Sequence, residues 1–161
     1  MSRLDSVIRR LEAQRDCIDW AAAEIAGRTG HILELGLGNG RTFDHLRERF
    51  PGREIFVFDR QIAAHPDCIP GGKHIFLGDI SDTLTAALAR LGRSAILAHS
   101  DIGTGDDERS RGLAAKIAPL LAKLMLPDGL ILSDQPMPCG EWSEMDPPAG
   151  IAPERYHIYR T

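Results

Sequence analysis

The chain is 161 residues long, 43% hydrophobic and 26% charged, with a net charge of -4, a length that gives one domain its own core without disulfides or a structural metal. No apolar run approaches the roughly 20 residues of a membrane span, Lys and Arg are dispersed, and charges recur through the N-terminal MSRLDSVIRRLEAQRD. These features argue against a membrane, a nucleic-acid partner and a secretory leader, and point to a cytoplasmic protein handling a small molecule.

In chain order, Leu4, Val7, Ile8, Leu11, Ile18, Ala22 and Ile25 fall near one helical face, with Ser2 and Asp5 spaced as a capping box. An opening helix is predicted, ending around Gly27 to Gly30. HILELG then reads as a strand feeding a Gly-rich turn. A helix near 41–50 is stopped by Pro51-Gly52, and the strand EIFVFD follows. Between Asp59 and His74 there is room for little helix. After the strand HIFLGD, Ser81 is the expected cap of a helix running to about Leu91, which Gly92 ends. The strand AILAHSD, a loop GTGDDE, a helix near 109–125 stopped by Pro127-Asp128-Gly129 and the strand LILSD complete the alternation. No helical pattern follows LILSD, and the Pro-rich tail ends in YHIYR, which reads as one added antiparallel edge strand. Strands that are continuous apolar runs belong to a parallel sheet covered on both faces. The predicted fold is therefore α/β: a single Rossmann-like domain over 1–161, mostly parallel and twisted, with helices on both faces, an N-terminal helix and a reduced C-terminal part. Cys17, Cys68 and Cys139 lie far apart in no metal-ligand spacing, so reduced thiols are expected.

Ligands of such sheets bind beyond the carboxyl ends of the strands. There the first loop reads Glu34-Leu35-Gly36-Leu37-Gly38-Asn39-Gly40-Arg41-Thr42. A dinucleotide loop places its third glycine at position 41, where this chain has Arg; the spacing is instead G-x-G-x-G. Glu34 would oppose a pyrophosphate, whereas S-adenosylmethionine has no phosphate and carries ammonium and sulfonium cations. The plain alternative is a tight turn beside a paired carboxylate. Asp59 ends the second strand about twenty residues beyond the loop, where a carboxylate accepts both hydrogen bonds of a ribose diol. Asp79 ends the third, where it serves either an adenine amine or a helix cap.

ILELGLGNGRT, FVFDR, FLGDI and LLAKLMLPDGLILSD together resemble the successive motifs of class I S-adenosylmethionine-dependent methyltransferases, over roughly residues 30–135. The resemblance implies that Glu34, Gly36, Gly38 and Gly40 surround the methionine part of the cofactor, that Asp59 holds the ribose, and that Asp79 and Ile80 meet the adenine. It also implies an opening helix over the cofactor, from which Gln14 or Arg15 reaches the cofactor carboxylate, unless both are solvated.

Methyl transfer from a sulfonium is an in-line displacement in which the enzyme positions the acceptor and removes a proton where needed. His99 and Asp101 after the fourth strand are the catalytic candidates, His99 as a general base or as a structural histidine. Asp101, Asp134 and Gln135 are hard oxygen donors suited to Mg²⁺, an arrangement similar to that of catechol O-methyltransferase-like enzymes, with Gln in place of Asn; the other reading is that they cap loops. Met137, Trp142 and Met145 either wall the acceptor or pack the tail. A homodimer is expected, because the chain lacks elements that would enclose an acceptor and shield a sheet edge. Two other functions compete with the methyltransferase: an NAD(P)-dependent oxidoreductase and a non-catalytic S-adenosylmethionine-binding protein.

Overall fold

The structure, a computed structural model, describes residues 2–161. Helix α1 spans Arg3–Glu24 and opens with the expected capping box: the Ser2 hydroxyl accepts from the Asp5 amide at 3.0 Å, and the Asp5 carboxylate accepts from the Ser2 amide at 3.1 Å. The turn leaving α1 is closed from outside by Arg53, whose guanidinium donates to the carbonyls of Ile25, Arg28 and Gly30. That satisfies carbonyls a helix end leaves orphaned. Strand β1 (His31–Leu35) leads through the glycine loop into α2 (Arg41–Arg49), then β2 (Ile55–Asp59), β3 (Ile75–Leu77), α3 (Ile80–Leu91), β4 (Ala95–Ser100), α4 (Asp107–Leu124), β5 (Met125–Ser133), β6 (Ser143–Met145) and β7 (His157–Arg160). Only two short 3-10 turns occupy the stretch between β2 and β3.

The seven strands lie in the order β3-β2-β1-β4-β5-β7-β6. β1 to β5 are parallel, and β7 runs antiparallel between β5 and β6. One face is covered by α1 and α2, where Ile18, Ala21, Phe43 and Leu46 pack on Ile32, Leu97, Leu132 and Ile158. On the other face Leu84, Ala87, Ile117 and Leu121, from α3 and α4, cover Leu33, Phe56, Ala98 and Ile131. Side chains alternate between faces along each strand, so both halves of every central strand are buried, as its unbroken apolar sequence predicts.

The structure corrects four local expectations. Asp79, not Ser81, caps α3: its carboxylate accepts from the Ser81 amide at 2.9 Å. α4 starts earlier than expected, because Asp106 caps it through the Arg109 amide at 2.9 Å. Pro127-Asp128-Gly129 does not precede β5 but lies inside it, as a register shift against β4 with Asp128 at φ 57. YHIYR forms an inner strand, and the edge belongs to Ser143–Met145, too short and polar to announce itself by periodicity.

Candidate functional site

The β1–α2 turn sits at the carboxyl edge of the sheet, where strand order reverses between β1 and β4. Its glycines take conformations other residues avoid: Gly36 at φ 92 presses on the carbonyl of Asp101, and Gly38 at φ 51 has open space where a side chain would be. Asp59 at the tip of β2 fixes the loop. Its Oδ2 accepts from the amides of Leu37 at 2.8 Å and Gly38 at 3.1 Å, and its Oδ1 from Arg60 at 2.6 Å.

Two clefts meet at this loop, sharing Gly36, Gly38 and Asp101 in their walls. The larger, about 510 Å³, runs outward past Phe58, Asp59, Gly78 and Ile80 towards Ile102 and Leu113. The smaller, about 180 Å³, is polar and lies under α1, between Arg10 and Gln14 on one side and Asn39 and Arg41 on the other. The structure thus brings Gly36, Gly38, Asp59, Ile80 and Asp101 to one continuous space. Asp79 is exposed between Gly78 and Ile80; the backbone N–H of Ser81 holds its carboxyl below the usual range.

Glu34 and His99 are placed differently. Glu34 shares with Ile32 the face of β1 beneath α1 and α2, and it is 0% exposed, as is His99 directly opposite on β4. Glu34 Oε2 accepts from His99 Nδ1 at 2.6 Å, the Thr42 hydroxyl donates to Glu34 Oε1, and the Tyr156 hydroxyl bonds His99 Nε2. Burial alone would lower the His99 pKa, but the Glu34 charge and hydrogen bond, with Asp101 and Asp134 adding, raise it above the usual 6.5. Burial, with the same carboxylates, pushes the Tyr156 phenol well above 10. With both ring nitrogens engaged inside the core, His99 has no edge open to either cleft. Gly40 likewise faces away: it starts α2, and a Cβ there would meet Cys68 at 2.5 Å.

Asp101, Asp134 and Gln135 do not form the expected ligand set. Asp101 Oδ2 accepts from Gln14 Nε2 at 2.8 Å, and Arg10 stands 3.7 Å away. Both Asp134 oxygens take backbone N–H groups, from Ile102 at 3.2 Å and Gly103 at 3.0 Å, and Gln135 turns its amide nitrogen, not its oxygen, to Asp134. Burial and the charge of Asp101 raise the Asp134 pKa. With both Asp134 oxygens taken by backbone donors and the neighbouring amide turning N–H towards them, Asp101 alone keeps a free oxygen, which is too little for a hard cation. No group of three His, Cys, Asp or Glu is arranged for a metal among the described residues.

Met137 and Trp142 line a separate groove of about 580 Å³ beside Tyr159, and Met145 packs against the core on the opposite face. Gln14 holds Asp101, and Arg15 pairs with Asp16 on the surface at 2.9 Å. Arg10, Arg41, Thr42 and Tyr156 had no assigned role in the sequence. Arg41 and Thr42 sit in the loop motif itself, and Arg10 lies one helical turn from Gln14; nothing in the sequence marks Tyr156, 57 residues from its partner.

The chain matches the model of the S-adenosyl-L-methionine methyltransferase family over residues 1–161. It is similar to an S-adenosyl-L-methionine methyltransferase from Silicibacter pomeroyi DSS-3, at 43% identity and a TM-score of 0.94, covering 99% of this chain and 98% of that one. The fold alone is shared with the antibiotic-resistance methyltransferase Kmr (12% identity, TM-score 0.53, 86% and 89% covered). The same holds for a probable spermidine synthase from Corynebacterium glutamicum (15% identity, TM-score 0.57, 92% and 62% covered). No curated protein matches significantly.

Proposed function

The chain belongs to the S-adenosyl-L-methionine methyltransferase family, and on that premise we propose that it transfers the methyl group to a small-molecule acceptor held where its two clefts meet. The observation that carries this reading is the pair of clefts joined at Gly36, Gly38 and Asp101, one long and partly apolar, the other short and polar. Adenosine fits the first and an amino-acid group the second. In this reading Asp59 accepts from the ribose hydroxyls, and Phe58 and Ile80 flank the adenine. Asp79 accepts from its exocyclic amine with the capacity left over from capping α3. Gly36 and Gly38 let the methionine part lie against bare backbone, and Arg10 and Arg41 face its carboxylate. The absence of a side chain at Gly38, with open space beyond, and the carboxylates of Asp59 and Asp101 suit a ligand that carries net positive charge.

S-adenosylmethionine supplies an electrophilic methyl on sulfur. The chain supplies position and a proton acceptor: Asp101, at the junction, has a side chain 26% exposed and an oxygen beyond the one that holds Gln14. It is placed to orient an oxygen or nitrogen acceptor and to take its proton. No step is routed through a metal, since both Asp134 oxygens accept backbone N–H groups and Gln135 turns its N–H, not its oxygen, towards them.

Calorimetry tests the cofactor half: S-adenosylhomocysteine should bind and NAD should not. For the acceptor half, the protein is given S-adenosylmethionine with a labelled methyl group in a cell extract. A labelled compound in the ultrafiltrate that separates from unreacted S-adenosylmethionine and is missing when the enzyme is left out supports a small acceptor. Label retained with protein or nucleic acid overturns it.

A further inference from the structure

Four side chains form one hydrogen-bonded chain beneath the glycine loop: Thr42, which also lines the smaller cleft, and the buried Glu34, His99 and Tyr156. Thr42, in the first turn of α2, donates to Glu34; Glu34 accepts from His99 at 2.6 Å; His99 bonds Tyr156, which is 1% exposed and lies on the segment entering β7. Glu34 and His99 are register partners on adjacent parallel strands. Glu34 immediately precedes the turn that Thr42 ends, so their hydrogen bond closes the loop across its base. Asp59 grips only the middle, through Leu37 and Gly38. Backbone bonds from Gly36 to the Phe58 carbonyl and from His65 to the Asn39 carbonyl tie the loop to its neighbours, and the Glu34–Thr42 bond adds a side-chain closure across its base.

We propose that His99 and Tyr156 are positioning residues for S-adenosylmethionine, acting through Glu34 and Thr42 to hold the base of the glycine loop in its binding shape. The inference rests on the cofactor reading above. His99 orients Glu34, because a buried carboxylate with its second oxygen bonded to an imidazole N–H can offer Thr42 only the first. Tyr156 in turn occupies Nε2, the other end of the ring, and so fixes the ring's plane. The segment before the last strand thereby sets the geometry of the first loop, more than a hundred residues earlier. A merely structural cluster would stabilise the fold without altering the loop.

The test compares two hydroxyl deletions in the same tail. Tyr156→Phe removes the terminal bond of the chain, whereas Tyr159→Phe removes an unrelated acceptor, the one receiving the Met137 amide at 3.0 Å. Both variants are read by thermal melting, by amide exchange at Leu37, Gly38 and Gly40 in the ligand-free protein, and by S-adenosylhomocysteine calorimetry. A lost buried hydrogen bond predicts about a tenfold faster loop exchange and about a tenfold weaker Kd for Tyr156→Phe, with neither change in Tyr159→Phe at a similar melting temperature. Thr42→Val, at the half-buried far end, should reproduce the faster ligand-free loop exchange and Thr42→Ser should restore it; because Thr42 lines the smaller cleft, this variant is judged by exchange and not by affinity, which keeps the test open if Tyr156→Phe fails to fold. Equal exchange and equal affinity in the two tyrosine variants, or an unchanged loop in Thr42→Val, overturns the proposal. Failure of the wild type to bind S-adenosylhomocysteine would instead overturn the cofactor reading, and loop exchange would still judge this inference.

Discussion

Gly36 lies so close to Asp101 that a Cβ built on the glycine would stand 2.4 Å from the aspartate's carbonyl oxygen. The obstacle is backbone at the tip of β4, so it cannot swing aside, and φ 92 adds strain of its own. Gly36→Ala should cost about 2–4 kcal/mol and lower the melting temperature by roughly 5–15 °C, with loss of measurable S-adenosylhomocysteine binding. Gly38→Ala, whose Cβ meets nothing within 4 Å, should cost only about 1 kcal/mol for its left-handed backbone. Paired melting curves and titrations check the contrast.

Asp59 serves the loop and, on the proposed reading, the ribose. Replacing it with Ala removes the acceptor of the Leu37 and Gly38 amides as well as that of the ligand. Charge-assisted hydrogen bonds are worth about 1.5–3 kcal/mol each, so calorimetry should show S-adenosylhomocysteine binding weakened by roughly 10- to 100-fold. Asp59→Asn, which keeps one acceptor oxygen, should fall between Ala and the wild type.

The pH dependence follows from His99. Its folded pKa lies above 6.5, because Glu34 with Asp101 and Asp134 outweighs the cost of burial. A raised histidine contributes its full stability below the unfolded value and loses it as pH climbs through the folded one. The melting temperature should therefore decline as pH rises from 6.5 into that window, and His99→Gln should flatten the decline. An imidazole NMR titration of the wild type with its midpoint above 6.5 gives the same answer without a mutation.

Magnesium should change little. With both Asp134 oxygens taken by backbone amides and Gln135 offering N–H, added Mg²⁺ should not raise the melting temperature, since only ligands that bind the folded state do so. Chelation should leave S-adenosylhomocysteine affinity and methyl transfer unchanged.

The sequence announces the sheet well because β1, β2, β4 and most of β5 are apolar on both faces, and the Ser2–Asp5 box appears as written. It marks the glycine loop and Asp59 because only a few residue types tolerate those positions. It misplaces what depends on which face a side chain takes. Glu34 reads as a loop carboxylate, yet β1 carries it to the α1–α2 side with Ile32, and His99 follows on β4. Asp101, Asp134 and Gln135 have the composition of a metal site, but backbone amides of the Ile102–Gly103 turn reach Asp134 first. Tyr156 carries no local signal, since its partner comes from another strand.

Because β7 slots between β5 and β6, a chain emerging amino-end first can assemble β1 to β5 before the segment bearing Tyr156 exists. Until that segment docks, His99 lacks the hydroxyl that engages its Nε2. Closing the sheet and completing the support beneath the glycine loop are therefore one event, since the segment that carries Tyr156 leads directly into β7.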